Sequence, residues 1–160
     1  MNAGLFDLTG KNALVTGGAQ GLGRMIAEGL LRAGATVAIT SRKADICEAA
    51  ASEMAALGKC IALPADLSTP EAAVDLAQRY RETVGGTLHV LVNNAGKTWG
   101  GTVDTFPDKA WPGVMMVNVQ TPFTLVRELL PELTAAGTPD DPARVINIGS
   151  IAGATTAKLS

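Results

Sequence analysis

Nine residues near the start, Val15-Thr16-Gly17-Gly18-Ala19-Gln20-Gly21-Leu22-Gly23, restrict the fold more than any other segment. An apolar run over 12–16 precedes them and reads as a buried strand. A helix over 24–33 follows, with Ile26, Leu30 and Leu31 on one side. Strand, glycine turn and helix in that order suit a phosphate-bearing ligand. Glycine permits positive φ and a close approach of ligand to backbone. The helix start offers unpaired N–H groups and the positive end of its dipole. The spacing is G-x-x-x-G-x-G, carried by Gly17, Gly21 and Gly23, not G-x-G-x-x-G. Eighteen glycines are spread through the 160 residues. An ordinary tight strand-to-helix turn is therefore the competing explanation, and only the rest of the chain separates the two.

The remaining segments repeat the alternation. Strands are expected over 36–41, 60–63, 90–92 and 144–148. Helices are expected over 44–57, closed by Gly58, and from Pro70 to about Val84. Thr69 or Ser68 caps the second of these, and Gly85-Gly86 ends it. A long helix over 108–133 should kink at Pro122. Short apolar strands alternating with helices imply an α/β fold: a doubly wound, Rossmann-like parallel sheet covered on both faces. Residues 1–160 are expected to form one domain of this kind. Ligands of such sheets sit beyond the carboxyl ends of the strands. The unusual clusters of this chain fall there: 17–23, 41–43, 66–67, 93–96 and 149–150.

Composition narrows the function. An apolar fraction of 47% with 18% charged residues is globular. Thirteen basic against fifteen acidic residues leave a net charge of −2, without the basic face that nucleic acid demands. No apolar run is long enough to span a bilayer. The first residues lack a cationic segment followed by an apolar one, so no signal peptide is expected. Cys47 and Cys60 match no metal or redox spacing, so no metal is expected. They read as small buried or half-buried thiols suited to a reducing cytoplasm.

Several side chains then stand out. The second strand ends Thr40-Ser41-Arg42-Lys43, where an acid would take ribose hydroxyls and an arginine a 2′-phosphate. A solvated helix start would also place cations there. Asp66 and Leu67 end the third strand, and Asp66 also suits a turn. Asn93-Asn94-Ala95-Gly96 ends the fourth, and Asn147-Ile148-Gly149-Ser150 the fifth. His89, the single histidine, reads as a strand-edge residue, since Gly149-Ser150-Ile151-Ala152 is no nucleophile elbow. Trp99 suits either a substrate mouth or a loop anchor. Met115 and Met116 read as helix packing.

Together these residues resemble the short-chain dehydrogenase/reductase family, over about residues 6–160. Thr-Gly-x-x-x-Gly-x-Gly at 16–23 is similar to its cofactor turn, Asn93-Asn94-Ala95-Gly96 to its second signature, and Ile146-Asn147-Ile148-Gly149-Ser150 to its serine strand. The Trp99-Gly100 loop, Leu129-Leu130-Pro131 and the 143–150 segment look most like its 3-oxoacyl-carrier-protein reductases, particularly those associated with rhamnolipid synthesis.

The resemblance implies an NADPH-dependent oxidoreductase that reduces a carbonyl of a small molecule, such as a 3-oxoacyl thioester, to a secondary alcohol. It implies Asn118 and Ser150 as catalytic residues. It implies a cofactor site of Gly17, Ala19, Gln20, Gly21, Leu22, Gly23, Ser41, Arg42, Lys43, Asp66, Leu67, Asn94, Ala95, Gly96 and Ile148. Arg42 would select the phosphorylated cofactor and Asp66 would meet adenine. A full-length form would be a homo-oligomer. The family's Tyr-x-x-x-Lys lies beyond its serine, and Ser160 is reached before it. The single tyrosine, Tyr80, lies in the third helix with no lysine four residues on, and Lys158 precedes any place for the tyrosine. Residues 1–160 are therefore expected to be a dinucleotide-binding domain with a sheet incomplete after the fifth strand, the N-terminal part of such an enzyme and inactive alone. The alternative is a non-enzymatic dinucleotide binder or sensor.

Overall fold

The computed structural model describes residues 4 and 6–151. Five parallel strands lie in the order β3-β2-β1-β4-β5. They are β1 (Asn12–Val15), β2 (Thr36–Ile39), β3 (Cys60–Ala62), β4 (Val90–Asn93) and β5 (Arg144–Asn147). The helices are α1 (Gly21–Arg32), α2 (Ala44–Met54), α3 (Pro70–Thr83), α4 (Ala110–Met115), α5 (Thr121–Glu128) and α6 (Leu130–Ala136). The strand order reverses at β1, and the loops from β1 and β4 leave the sheet there side by side. That is the crevice where a doubly wound sheet receives its ligand.

Strand alternation divides the core. Ala13, Val15, Val37, Ile39, Val90 and Val92 face α1 and α2, meeting Ala27, Leu31, Cys47, Ala51 and Met54. Leu14, Ala38 and Leu91 face the other way, onto Leu76, Ala77 and Tyr80 of α3, Leu125 of α5, Leu129 and Leu133. Both sets sit in dry surroundings, which is why the strands read as unbroken apolar runs instead of alternating ones. An ion pair between half-exposed Arg81 and buried Glu132 ties α3 to α6.

The helices depart from the sequence expectation in three places, the first being α1, which starts at Gly21, three residues before the expected start. α2 stops at Met54, because Ala55 and Leu57 N–H groups bond three residues back, to Ser52 and Met54. The long helix begins at Ala110 and is broken twice. A π-turn occupies Met116–Gln120, with the Thr121 N–H donating to the Met116 carbonyl. Leu129 then takes φ −98° and ψ 8° just before Pro131. Both breaks precede a proline, which has no N–H for the ladder and crowds the carbonyl four residues back. Thr69 is the cap of α3, its Oγ1 accepting from the Ala72 N–H at 3.3 Å.

Tyr80 is fully buried, and its hydroxyl donates to the Thr87 carbonyl at 2.9 Å. Burial, and then the charge of Glu132, push its phenol well above the ordinary range. Cys47 is buried and Cys60 half-buried. Burial, with a smaller contribution from Cys47, raises the Cys60 thiol to about 11, so it is inert at neutral pH. His89 immediately precedes β4, and its Nδ1 accepts the Asn12 N–H at 3.0 Å. Among the described residues no helix is long and apolar enough to cross a membrane, and no group of three or more His, Cys, Asp or Glu could hold a metal ion.

Candidate functional site

At the carboxyl ends of the strands lies an open cleft of about 640 Å³. Its floor is the turn after β1. Gly17 and Gly21 take φ of +66° and +56°, which a β-carbon disfavours. Gly23 serves a different need. A Cβ there would stand 2.3 Å from the Gly17 carbonyl oxygen and 2.4 Å from Asn94 Nδ2, so only glycine lets α1 start this close to the turn. At Gly21 the space is open. The cap position of α1, Gln20, contributes no side-chain hydrogen bond, and its first turn holds no acid. The leading N–H groups of α1 are thereby left for an incoming acceptor.

Two threonines hold the turn. Thr16, 2% exposed, accepts from the Asn94 N–H at 3.0 Å and the Ala95 N–H at 2.9 Å, and donates to the Val92 carbonyl at 3.4 Å. That uses every hydrogen-bonding site of a hydroxyl. Asn94 Nδ2 returns a bond to the Thr16 carbonyl at 2.9 Å. Thr40 accepts the Gly17 N–H at 3.2 Å on Oγ1 and the Gly18 N–H at 2.9 Å on its carbonyl. The loops after β1, β2 and β4 are thus one bonded unit.

Of the sequence-derived candidates, Gly17, Gln20, Ser41, Arg42, Asp66, Leu67, Asn94, Ala95 and Gly96 line the cleft together. Thr40, Ala65, Ser68, Lys97, Thr98, Trp99 and Val117 complete the wall. Gly21, Leu22 and Lys43 are exposed beside it. Ala19 and Gly23 are buried, and Ala19 packs in the core beneath α1, so neither offers a side-chain surface to the cleft. Ile148 lies at the end of β5, its N–H on the Asn93 carbonyl at 2.9 Å. Ser150, two residues further, is exposed and outside the lining. Arg42 and Lys43 form no ion pair among the described residues, so two cations stand at the end of β2 with no carboxylate between them.

Asn118 sits in the π-turn. Its Oδ1 accepts the Lys97 N–H and its Nδ2 donates to the Lys97 carbonyl, both at 2.8 Å. The side chain is committed to the cleft wall. Its carbonyl is where Pro122 acts, because an uninterrupted α-helix would bring that oxygen a donor from residue 122, and proline has none. The resemblance marks Asn118 and Pro122 marks the kink, but nothing in the sequence marks Lys97 or the type of turn. Thr16 and Thr40 carried a weak signal, as hydroxyl residues at the carboxyl ends of β1 and β2.

The cleft has the features a dinucleotide phosphate needs: glycine approach, uncapped helix N–H groups and a cationic rim. Comparison with known proteins agrees. The chain is 48% identical over 148 residues to the rhamnolipids biosynthesis 3-oxoacyl-[acyl-carrier-protein] reductase of Pseudomonas aeruginosa, covering 92% of this chain and 57% of that protein. It is 35% identical over 147 residues to the ketoacyl reductase HetN of Nostoc, covering 91% and 50%. Its fold superposes on the Pseudomonas aeruginosa RhlG/NADP active-site complex with a TM-score of 0.91 and 47% identity, over 95% of this chain and 59% of that one. A metagenomic short-chain oxidoreductase in complex with NADP gives 0.82 and 34%, over 92% and 66%. The chain therefore spans about half to two-thirds of the length of these relatives. The model of the short chain dehydrogenase family matches residues 11–159, and the chain belongs to that family.

Proposed function

We propose that the cleft binds NADP(H) and that the chain is the cofactor-holding part of a cytoplasmic reductase converting a ketone, such as a 3-oxoacyl thioester, to a secondary alcohol. The observation that carries this is Arg42. It lines the cleft at the end of β2, where an acid would select the unphosphorylated ribose, and no described acid pairs with it. The relatives named for 3-oxoacyl reduction and for NADP complexes support the same reading.

When bound, the nicotinamide supplies hydride; the protein supplies orientation and proton handling. The α1 N-terminus receives the pyrophosphate. Arg42, with Ser41 and Lys43, holds the 2′-phosphate, and Asp66 meets the adenine. Ser150 donates a hydrogen bond to the substrate carbonyl. Asn118 fixes the wall at Lys97 and, through the carbonyl that Pro122 leaves without its helical donor, holds a water for proton supply. Tyr80 cannot be the proton donor, since its hydroxyl is turned into the core onto Thr87. These residues therefore bind and orient, and the general acid comes from outside them. We expect the 160-residue chain alone to show background turnover, since general acid catalysis contributes about 10²–10⁴-fold. Full activity in it would show that Tyr80 has been misjudged. In its complete form we propose a homo-oligomer.

Titrating the chain with both cofactors tests the reading. A charge-assisted contact to the 2′-phosphate contributes roughly 1.5–3 kcal/mol, so NADPH should bind about 10- to 150-fold tighter than NADH. Arg42→Ala should remove most of that ratio and leave NADH binding unchanged. Equal affinities in the unsubstituted chain would overturn the assignment.

A further inference from the structure

The β3–α3 loop, Ala65 to Ser68, forms one side of the cleft. Its bonds are unevenly placed. On the upstream side the Pro64 carbonyl accepts from Arg79 Nη2 at 2.8 Å, and the Ala65 N–H donates to the Ser41 carbonyl at 3.0 Å. On the downstream side the Leu67 carbonyl accepts from Thr121 Oγ1 at 2.9 Å, across 54 residues of sequence. Leu67 and Thr121 are 4% and 2% exposed, so water cannot replace that donor. Asp66, the exposed residue between, is aimed by an anchor on either side.

Thr121 follows the π-turn directly, and its own N–H closes that turn on Met116. Three residues earlier Asn118 grips the opposite wall through both hydrogen bonds to Lys97. One short helical segment therefore fastens the two walls of the cleft.

We propose that Thr121 is a positioning residue for the adenine end of the dinucleotide: its hydroxyl sets the 65–68 loop, and the π-turn joins that loop to the wall held by Asn118. The inference rests on the NADP(H) reading above. It makes the adenine side and the Lys97 side two ends of one clasp, so loosening one hydroxyl bond should be felt by a ligand that never touches Thr121.

The probes are NADPH and 2′,5′-ADP, which carries only the adenosine half. Thr121→Val keeps the shape and removes the donor. It should weaken both probes by about 3- to 30-fold, and Thr121→Ser should restore them. Hydrogen exchange on the ligand-free protein should quicken at the amides of residues 66–68 and stay unchanged in β1 and β2. Should the valine variant fail to fold, Thr121→Cys, which drops the γ-methyl and keeps a weak donor, should show a smaller loss in the same direction. Unsubstituted protein that binds NADPH, with variants that bind both probes equally well, would overturn this inference alone. So would exchange that quickens evenly through the sheet, since Thr121 would then be merely a stability residue. Unsubstituted protein that binds neither probe would overturn the reading of the cleft, and this inference with it.

Discussion

β1 and β5 are paired alike and surrounded differently. Each is a four-residue parallel strand in full register with a neighbour, β1 with β2 and β5 with β4. Yet Ala13, Leu14 and Val15 are wholly buried, whereas every residue of β5 is exposed, Val145 and Ile146 by 41% and 43%. Beside β5 an apolar cavity of about 460 Å³ opens among Val126, Leu130, Leu133, Pro142 and Val145. Backbone pairing thus fixes where a strand lies, and helices on both faces fix whether it is dry. The cleft draws its rigid parts, the glycine turn and the two threonines, from the covered region. Ser150 hangs from the uncovered one.

The strongest way to break this contrast is to truncate one core side chain on each side of it. Leu91→Ala, in fully buried β4, should cost about 2–5 kcal/mol in urea unfolding. Val145→Ala, at the register partner of Leu91 in adjacent β5, should cost no more than about 1 kcal/mol in the 160-residue chain. Equal losses would mean that β5 is covered in solution.

A smaller effect comes from adding an atom. Gly23→Ala forces a Cβ onto the Gly17 carbonyl, a backbone atom that cannot swing aside. About 1–3 kcal/mol should be lost, together with dinucleotide binding. Gly149→Ala, with nothing within 4 Å, should stay within about 0.5 kcal/mol. Thermal melts of the pair, read with NADPH titration, would sharpen the contrast or erase it.

The smallest effect is protonic. His89 must be neutral at Nδ1 to accept the Asn12 N–H, and burial, then the charge of Lys11, lower its pKa, against an opposing pull from Asp141. The unfolded chain, titrating near the ordinary value of about 6.5, then holds more protons than the folded one between the two pKa values. This contribution is complete above that value, falls as pH drops through the lowered folded pKa, and is spent below it. One partly exposed hydrogen bond should be worth less than about 1 kcal/mol. Unfolding followed from pH 7.5 to 5 should show that slope, and His89→Gln should flatten it. An unchanged slope would remove His89 from the seam between β1 and β4.

What could be read from the sequence was mostly local. The five strands, the glycine turn and the cations after β2 were legible because each is a run of neighbouring residues with one periodicity or one chemistry. Pro122 announced a break in the helix, since its missing N–H is a property of the residue itself. The π-turn was not announced, because a kink and an extra residue per turn answer the same defect. Thr40 gave only a weak signal and Thr121 none, for another reason. Their partners, Gly17 and Leu67, are 23 and 54 residues away, and a hydroxyl says nothing about its partner until the sheet has brought them together. The exposure of β5 was legible only indirectly, from the expectation of a sheet incomplete after the fifth strand, since Val145 and Ile146 are themselves as apolar as Leu14 and Val15.

The bond from the Asn94 N–H to Thr16 also sets a clock. It joins residues 78 positions apart, and β1 cannot be flanked on its second side until β4 exists. A ribosome adding about 5–20 residues per second leaves β1 without its second neighbour for about 4–16 s. Through that interval the glycine turn has sequence but no fixed shape, and the apolar edge of β1 is open to other chains. The part of the molecule that reads most plainly as a binding site is therefore the first to be synthesised and among the last to become one.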